Sequence, residues 1–229
     1  MTVLSPRLKT AADMVRKGVV AADIGTDHAY LPSYLVLNGI CPRAIACDLR
    51  RGPLENAAET LERMGAADRI TLRLSDGLDK LSAGEADDII MAGMGGTLIS
   101  RLLERTDWIK NKNIRLILQP MSHAEDVRLF LCRNGFDIIE ERTCRDDGRI
   151  YSVICAEYSG QTEAFPQGYE FYGKLDPTDD IAHRLVERQH KRLMTRAVSL
   201  RRANIKPDEA EYCEKACLGM ETFLNGGEK

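Results

Sequence analysis

No stretch of the 229 residues stays apolar for the ~20 residues that a membrane span needs, so no transmembrane segment is expected. The opening residues, MTVLSPRLKT, contain no apolar signal-peptide core. Cysteines stand at 41, 47, 132, 144, 155, 213 and 217, an odd number with no C-x-x-C pair. That spacing fits reduced thiols in a cytoplasmic protein better than a disulfide framework. The P-loop, the dinucleotide pattern G-x-G-x-x-G, the G-x-S-x-G elbow and zinc signatures are also missing, as are internal repeats. A net charge of −3 does not announce a nucleic-acid binder, although local charge can still provide one. What remains is an ordinary globular composition, 44% hydrophobic and 29% charged, in a chain long enough to bury a sizeable core.

The chain is organised around Val19 to Pro32, VVAADIGTDHAYLP. An apolar run ends at Asp23, Gly25 follows, then polar Thr26-Asp27-His28, then a helical pattern from Tyr30-Leu31. This is a strand–loop–helix unit. In open α/β sheets ligands bind outside the carboxyl ends of the strands, so the loop is a candidate site.

Before it, Ser5-Pro6 reads as an N-cap and first helical position, with the helix running to Gly18. After it, strands are expected at 43–48, 70–74, 88–92 and 114–118. The fourth is closed by Gly93-Met94-Gly95-Gly96 and the fifth by Gln119-Pro120. Helices follow at 31–38, from Gly52-Pro53, around Leu98 to Leu103, and at 124–133. Strands at 136–142 and 150–158 are joined by the turn Asp146-Asp147-Gly148, a hairpin signal. Strands alternate with helices five times and an antiparallel pair closes the series. The fold class is therefore α/β, a mostly parallel doubly wound sheet. Residues 1–160 form this domain. Residues 161–229 form an appended helical hairpin, with helices expected over 179–204 and 208–224 broken by Pro207.

Asp23, Asp48, Asp76 and the Ala92-Gly93 region end strands one to four and converge on one sheet edge. A carboxylate after strand two can accept from both ribose hydroxyls, and Asp76 can accept from an adenine amino group. A single glycine with Asp27-His28 in the loop suits a pyrophosphate poorly, because like charges repel. It suits a sulfonium and an α-ammonium better, which favours S-adenosylmethionine over a dinucleotide.

DIGTDHAYLP, AGMGG at 92–96, LQP at 118–120 and DDGRIY at 146–151 resemble the bacterial TrmK family, across roughly residues 4–160. The resemblance implies a seven-stranded Rossmann-like class I methyltransferase sheet and a C-terminal coiled-coil-like domain. The implied activity is methylation of N1 of adenine 22 in tRNA. The loop at Asp23, Gly25, Thr26 and Asp27 would hold the methyl donor, and Asp48 with Leu49 the ribose. Asp76 and Gly77 would meet the adenine end, and Ala92, Gly93 and Met94 the reacting centre. No N/D-P-P-Y/F follows strand four, which fits a ring-nitrogen acceptor.

Acceptor-side candidates are Asp27, His28, Tyr30, Gly95, Gly96 and Gln119. The long helix carries Arg184, Arg188, Lys191, Arg192, Arg196, Arg201 and Arg202, an expected tRNA-backbone surface in an acidic chain. Arg7, Lys9, Arg16 and Lys17 could extend it. Cys213 and Cys217 with His183 and His190 lack a closed metal-site spacing, so no metal is expected. The chain is expected to be a monomer, away from membranes. Alternatives are a small-molecule methyltransferase and a non-catalytic RNA-binding protein of the same fold.

Overall fold

β1 (Ala21–Ile24) is buried at all four residues, as a central parallel strand must be. It pairs in parallel with β2 (Ala44–Asp48) on one side and β4 (Asp88–Gly95) on the other. The computed structural model describes residues 3–162 and 164–226. It builds one seven-stranded sheet in the order β3-β2-β1-β4-β5-β7-β6. β3 (Ile70–Leu74) and β5 (Arg115–Ser122) continue the parallel part. β7 (Arg149–Tyr158) runs antiparallel to both β5 and β6 (Phe136–Asp146). The chain direction of growth reverses between β1 and β4, which opens a crevice at their carboxyl ends.

Helices α1 (Pro6–Ala12), α2 (Tyr30–Leu37), α3 (Arg51–Met64), α4 (Gly96–Glu104) and α5 (Ala124–Arg133) accompany the sheet. Two apolar cores lie against its two faces, one with Leu35, Leu61 and Ile90, the other with Ile89, Leu103 and Leu116. The expected alternation breaks once: residues 75–87 join β3 to β4 without a helix.

Two strand ends differ from expectation. The glycine run at 93–96 does not close β4, and Gln119-Pro120 does not close β5; both strands run on, with register shifts between Ala92 and Met94 and between Met94 and Gly95. Gly93 takes φ +85, so the extra residue bulges out of the ladder rather than ending it. α1 also stops earlier than Gly18. The β6–β7 turn has positive φ at Asp147 (47) and at Gly148 (71), which makes a two-residue hairpin loop of the I′ kind.

The C-terminal part is α6 (Tyr169–Tyr172), α7 (Asp180–Ala203) and α8 (Pro207–Leu224). Asp179 caps α7 by accepting from the Ile181 N–H at 2.9 Å. α7 and α8 bury their own core, including Leu185, Leu193, Ala197, Cys217 and Met220. A fully buried ion pair ties this hairpin to the sheet: Arg128 of α5 donates to Glu141 of β6 at 2.6 Å. Arg128 also donates to the Glu170 carbonyl at 2.7 Å, and Glu141 accepts from the Lys174 N–H at 3.1 Å. Among the described residues no helix is long and apolar enough to cross a membrane.

Candidate active site

The loop after β1 is pinned from below. The N–H groups of Gly25 and Thr26 both donate to the Cys47 carbonyl of β2, at 2.8 and 2.9 Å. Gly25 needs φ +81, and a Cβ there would collide with the Met94 side chain. Asp27 and Ala29 also take left-handed backbone, φ 48 and 53. Such strain in non-glycine residues persists where surrounding structure over-determines it, and it clusters at functional sites. The helix α2 that starts at Tyr30 anchors the loop's far end.

A cavity of roughly 400 Å³ opens over this loop. Asp23, Gly25, Thr26, Asp27, His28 and Tyr30 line one side, Ala92 and Gly93 the second, and Ser5 and Arg7 of the α1 region the third. Asp23 is buried, and burial pushes its carboxyl up to about 6; the nearby Asp48 adds to the rise and the Thr26 hydroxyl opposes it. Asp27 is open to solvent, with its Oδ2 3.6 Å from His28 Nε2. His28 and Tyr30 stack, ring centres 5.4 Å apart at 21°. Tyr30 is partly exposed at the mouth rather than packed beneath the loop.

Ser5 sits at the N-cap position of α1 but makes no capping hydrogen bond. Its hydroxyl is buried without a hydrogen-bond partner among the described residues, whereas the Thr26 hydroxyl lies against Asp23. Buried polar atoms are normally satisfied, so the orphaned Ser5 hydroxyl on this cavity marks a place where a bound polar group belongs. A desolvated carboxyl, an acidic loop and a free hydroxyl fit the polar groups of S-adenosylmethionine.

Arg7 lines this cavity instead of joining an outer basic surface. Its Nη1 donates to Gln119 Oε1 at 3.3 Å, and its Nε lies 3.2 Å from Asp146 Oδ2 at the β6–β7 hairpin tip. Gln119 is fully buried and also accepts from the Gly93 N–H at 3.1 Å. It holds the β4 bulge and Arg7, and does not itself reach the cavity surface. Arg16 is likewise withdrawn: it is bound to Asp88, at the opposite end of β4. Lys9 pairs with Asp13. Sequence reasoning missed the places of Ser5, Arg7 and Asp146; the one available signal was the DDGRIY motif.

The other candidates lie along the same edge in sheet order. Asp48 is buried, and its Oδ1 accepts from the Arg50 N–H at 2.8 Å, while Leu49 is exposed. Asp76 is half-exposed and pairs with Arg105 at 2.9 Å; Gly77 abuts Leu102. Neighbouring strands stand about 4.8 Å apart, so these positions can be spanned by one extended ligand. Asp48, Asp76 and Gly77 lie outside the cavity wall itself. Met94 packs against the core and under Gly25. Gly95 approaches the Ser122 hydroxyl. Gly96 is buried, and a Cβ there would strike the His123 carbonyl, so its lack of a side chain serves close packing.

All seven basic candidates on α7 are exposed. Three are paired: Arg192 with Glu125, Arg196 with Glu209 and Arg201 with Glu214. Arg184, Arg188, Lys191 and Arg202 have no ion pair among the described residues. At 100° per residue these four share one face, opposite Ala182, Leu193 and Leu200 of the core. Arg188 also lines a small notch beside Ser122 and His123, at the end of β5. Cys217 Sγ donates to the His190 carbonyl, and the described residues contain no cluster of three metal-ligating groups.

This sheet, with its crevice between β1 and β4, is a methyltransferase fold, and a methyltransferase domain model matches residues 4–154. Within that class, the chain is 43% identical over 163 residues to the tRNA (adenine(22)-N(1))-methyltransferase of Bacillus subtilis. The match covers 71% of this chain and 68% of that protein. The crystal structure of B. subtilis TrmK superposes over the whole of both chains with a TM-score of 0.86 at 31% identity. A Streptococcus pneumoniae protein solved with S-adenosyl-L-methionine matches 97% of this chain and 100% of its own, with TM-score 0.81 and 27% identity. The chain belongs to the TrmK family.

Proposed function

We propose that this chain transfers the methyl group of S-adenosylmethionine to N1 of an adenine in tRNA, with adenine 22 as the target. The observation that carries this reading is the cavity at the β1–β4 switch point, with a desolvated Asp23 in its wall and a stacked His28–Tyr30 pair at its mouth. The cofactor supplies an electrophilic methyl on a sulfonium. Asp23, Ser5 and Thr26 bind its amino-acid end, Asp48 its ribose and Asp76 its adenine.

The acceptor side follows from N1 chemistry. The N1 lone pair lies in the ring plane and carries no proton at neutral pH, so positioning supplies much of the rate. N1 is on the pairing edge, so the adenine must leave its stack, and Tyr30 and His28 offer a flat surface for it. The product ring is cationic. Asp27 and His28 accept from the 6-amino group and stabilise the developing charge. Gln119 keeps the β4 bulge in place, and Gly95 leaves room beside it.

Residues 161–229 serve as the tRNA-binding unit, through Arg184, Arg188, Lys191 and Arg202. Arg192, Arg196 and Arg201 already have carboxylate partners and contribute less. The test is incubation of unmodified tRNA with labelled S-adenosylmethionine, followed by mapping of the modified nucleotide. N1-methyladenosine at position 22 is the expected product. Equal methylation of free nucleosides would point to a small-molecule enzyme, and cofactor-independent tRNA binding without turnover to a non-catalytic protein.

A further inference from the structure

The DDGRIY motif lies far from the methyl-donor loop in sequence, and the reaction scheme above gives it no task. The structure brings the motif's first residue against Arg7, a residue of the cavity wall. Asp146 is the last residue of β6, set by the two-residue turn Asp147-Gly148, and it holds Arg7 Nε at 3.2 Å. Arg7 is fixed from the other side by Gln119 Oε1. Its Nη1 also lies 3.3 Å from where a Cβ on Gly93 would stand, a tight approach beside a glycine whose φ of +85 already disfavours a side chain. Among the described residues Arg7 is the one Lys or Arg in the cavity wall. Of its five N–H donors, the Nη2 pair has no partner among the described residues.

A guanidinium is a poor neighbour for this chemistry unless an anion covers it. The donor's sulfonium and the methylated adenine are both cationic, and like charges at close range raise the barrier. Asp146 neutralises one edge of Arg7 only. Resting on the reading that this cavity takes S-adenosylmethionine, we infer that Arg7 binds the α-carboxylate of that cofactor, and that Asp146 is the positioning residue that aims it. The zwitterionic end of the cofactor then meets complementary walls: the ammonium faces Asp23 and the carboxylate faces Arg7. An Arg–carboxylate pair of this kind uses two parallel N–H donors and discriminates by geometry as well as charge.

The experiment is calorimetric titration of the full chain with S-adenosylmethionine and with its decarboxylated form, which keeps the ammonium and loses the carboxylate. Arg7→Ala should weaken S-adenosylmethionine by roughly 10- to 100-fold and leave the decarboxylated form within about twofold. Asp146→Asn should weaken only S-adenosylmethionine, by a smaller factor. In the double variant the two losses should not add, because Asp146 acts through Arg7. Arg7→Lys keeps the charge and loses the fork, so it should recover part of the affinity. Binding of the decarboxylated form also reports that each variant is folded. Equal losses for both ligands, additive losses, or unchanged affinity in Arg7→Ala would overturn the assignment. Reduced tRNA binding with normal cofactor affinity would overturn it in favour of a phosphate contact. Failure of the unmutated chain to bind S-adenosylmethionine would instead refute the cofactor reading on which the inference rests.

Discussion

Asp23 sets stability against binding. Its carboxyl sits near 6 when folded against an ordinary value of 3.8, with burial as the main cause. Between about pH 4 and pH 6 the folded chain keeps a proton that the unfolded chain has released, so stability falls as pH rises through this window. Above it the buried charge is a standing cost. Asp23→Asn should therefore raise stability at neutral pH by about 1–3 kcal/mol in denaturant titration. The same change should abolish tight cofactor binding. In the unmutated chain, cofactor affinity should drop as pH is lowered through about 6, and this dependence should vanish in Asp23→Asn. A pH-independent affinity would remove Asp23 from the ligand. The loop residues from Asp23 to Tyr30 could be read as a cluster because they are contiguous and follow an apolar run. Arg7 could not, because its partners at 119 and 146 are brought to it only by the closed sheet. Gly96 shows a related limit: a glycine that admits a ligand and one that admits a neighbouring carbonyl look the same in sequence.

At the level of elements, strand centres and the long helices were legible because each carries a clear period of its own. The extended ends of β4 and β5 were not. Glycine and proline normally punctuate strands, and here the pairing between β4 and β5 carries both strands past them. The joint at Arg128 was equally hidden, since a lone arginine on an amphipathic helix reads as surface. Arg128 and Glu141 are fully buried and meet Glu170 and Lys174 of the C-terminal part. Breaking one side of a buried pair leaves a bare charge, so Arg128→Ala should cost about 3–5 kcal/mol. A joint Arg128→Met, Glu141→Leu replacement should cost less, because neither charge remains. Thermal unfolding of the three chains checks the order; a single variant as stable as the double would deny the pair its buried character. Removal of residues from about 165 onward strips the same joint of two partners. Loss of activity in such a truncation therefore needs a stability control before it is assigned to tRNA binding.

Across the whole molecule, charge is sorted by place. A chain with net −3 concentrates unpaired cations on the outer face of α7 and acids along the strand ends. Arg184→Glu with Lys191→Glu should weaken tRNA binding several-fold or more and flatten its salt dependence. The expected change in slope is close to one per lost phosphate contact. Cofactor affinity should stay the same. Arg196→Ala and Arg201→Ala, already matched by Glu209 and Glu214, should change both little. Filter binding across a salt series separates the two groups, and equal effects would dissolve the distinction. The sheet-to-hairpin joint also has a consequence for the order in which the chain is made. Residues 128 and 141 leave the ribosome before 170 and 174, and domains tend to fold as they emerge. The nascent sheet therefore holds a charged pair whose remaining partners are still untranslated. Its completion waits for some thirty further residues beyond Glu141, so the C-terminal hairpin acts as a late-arriving clasp on the sheet.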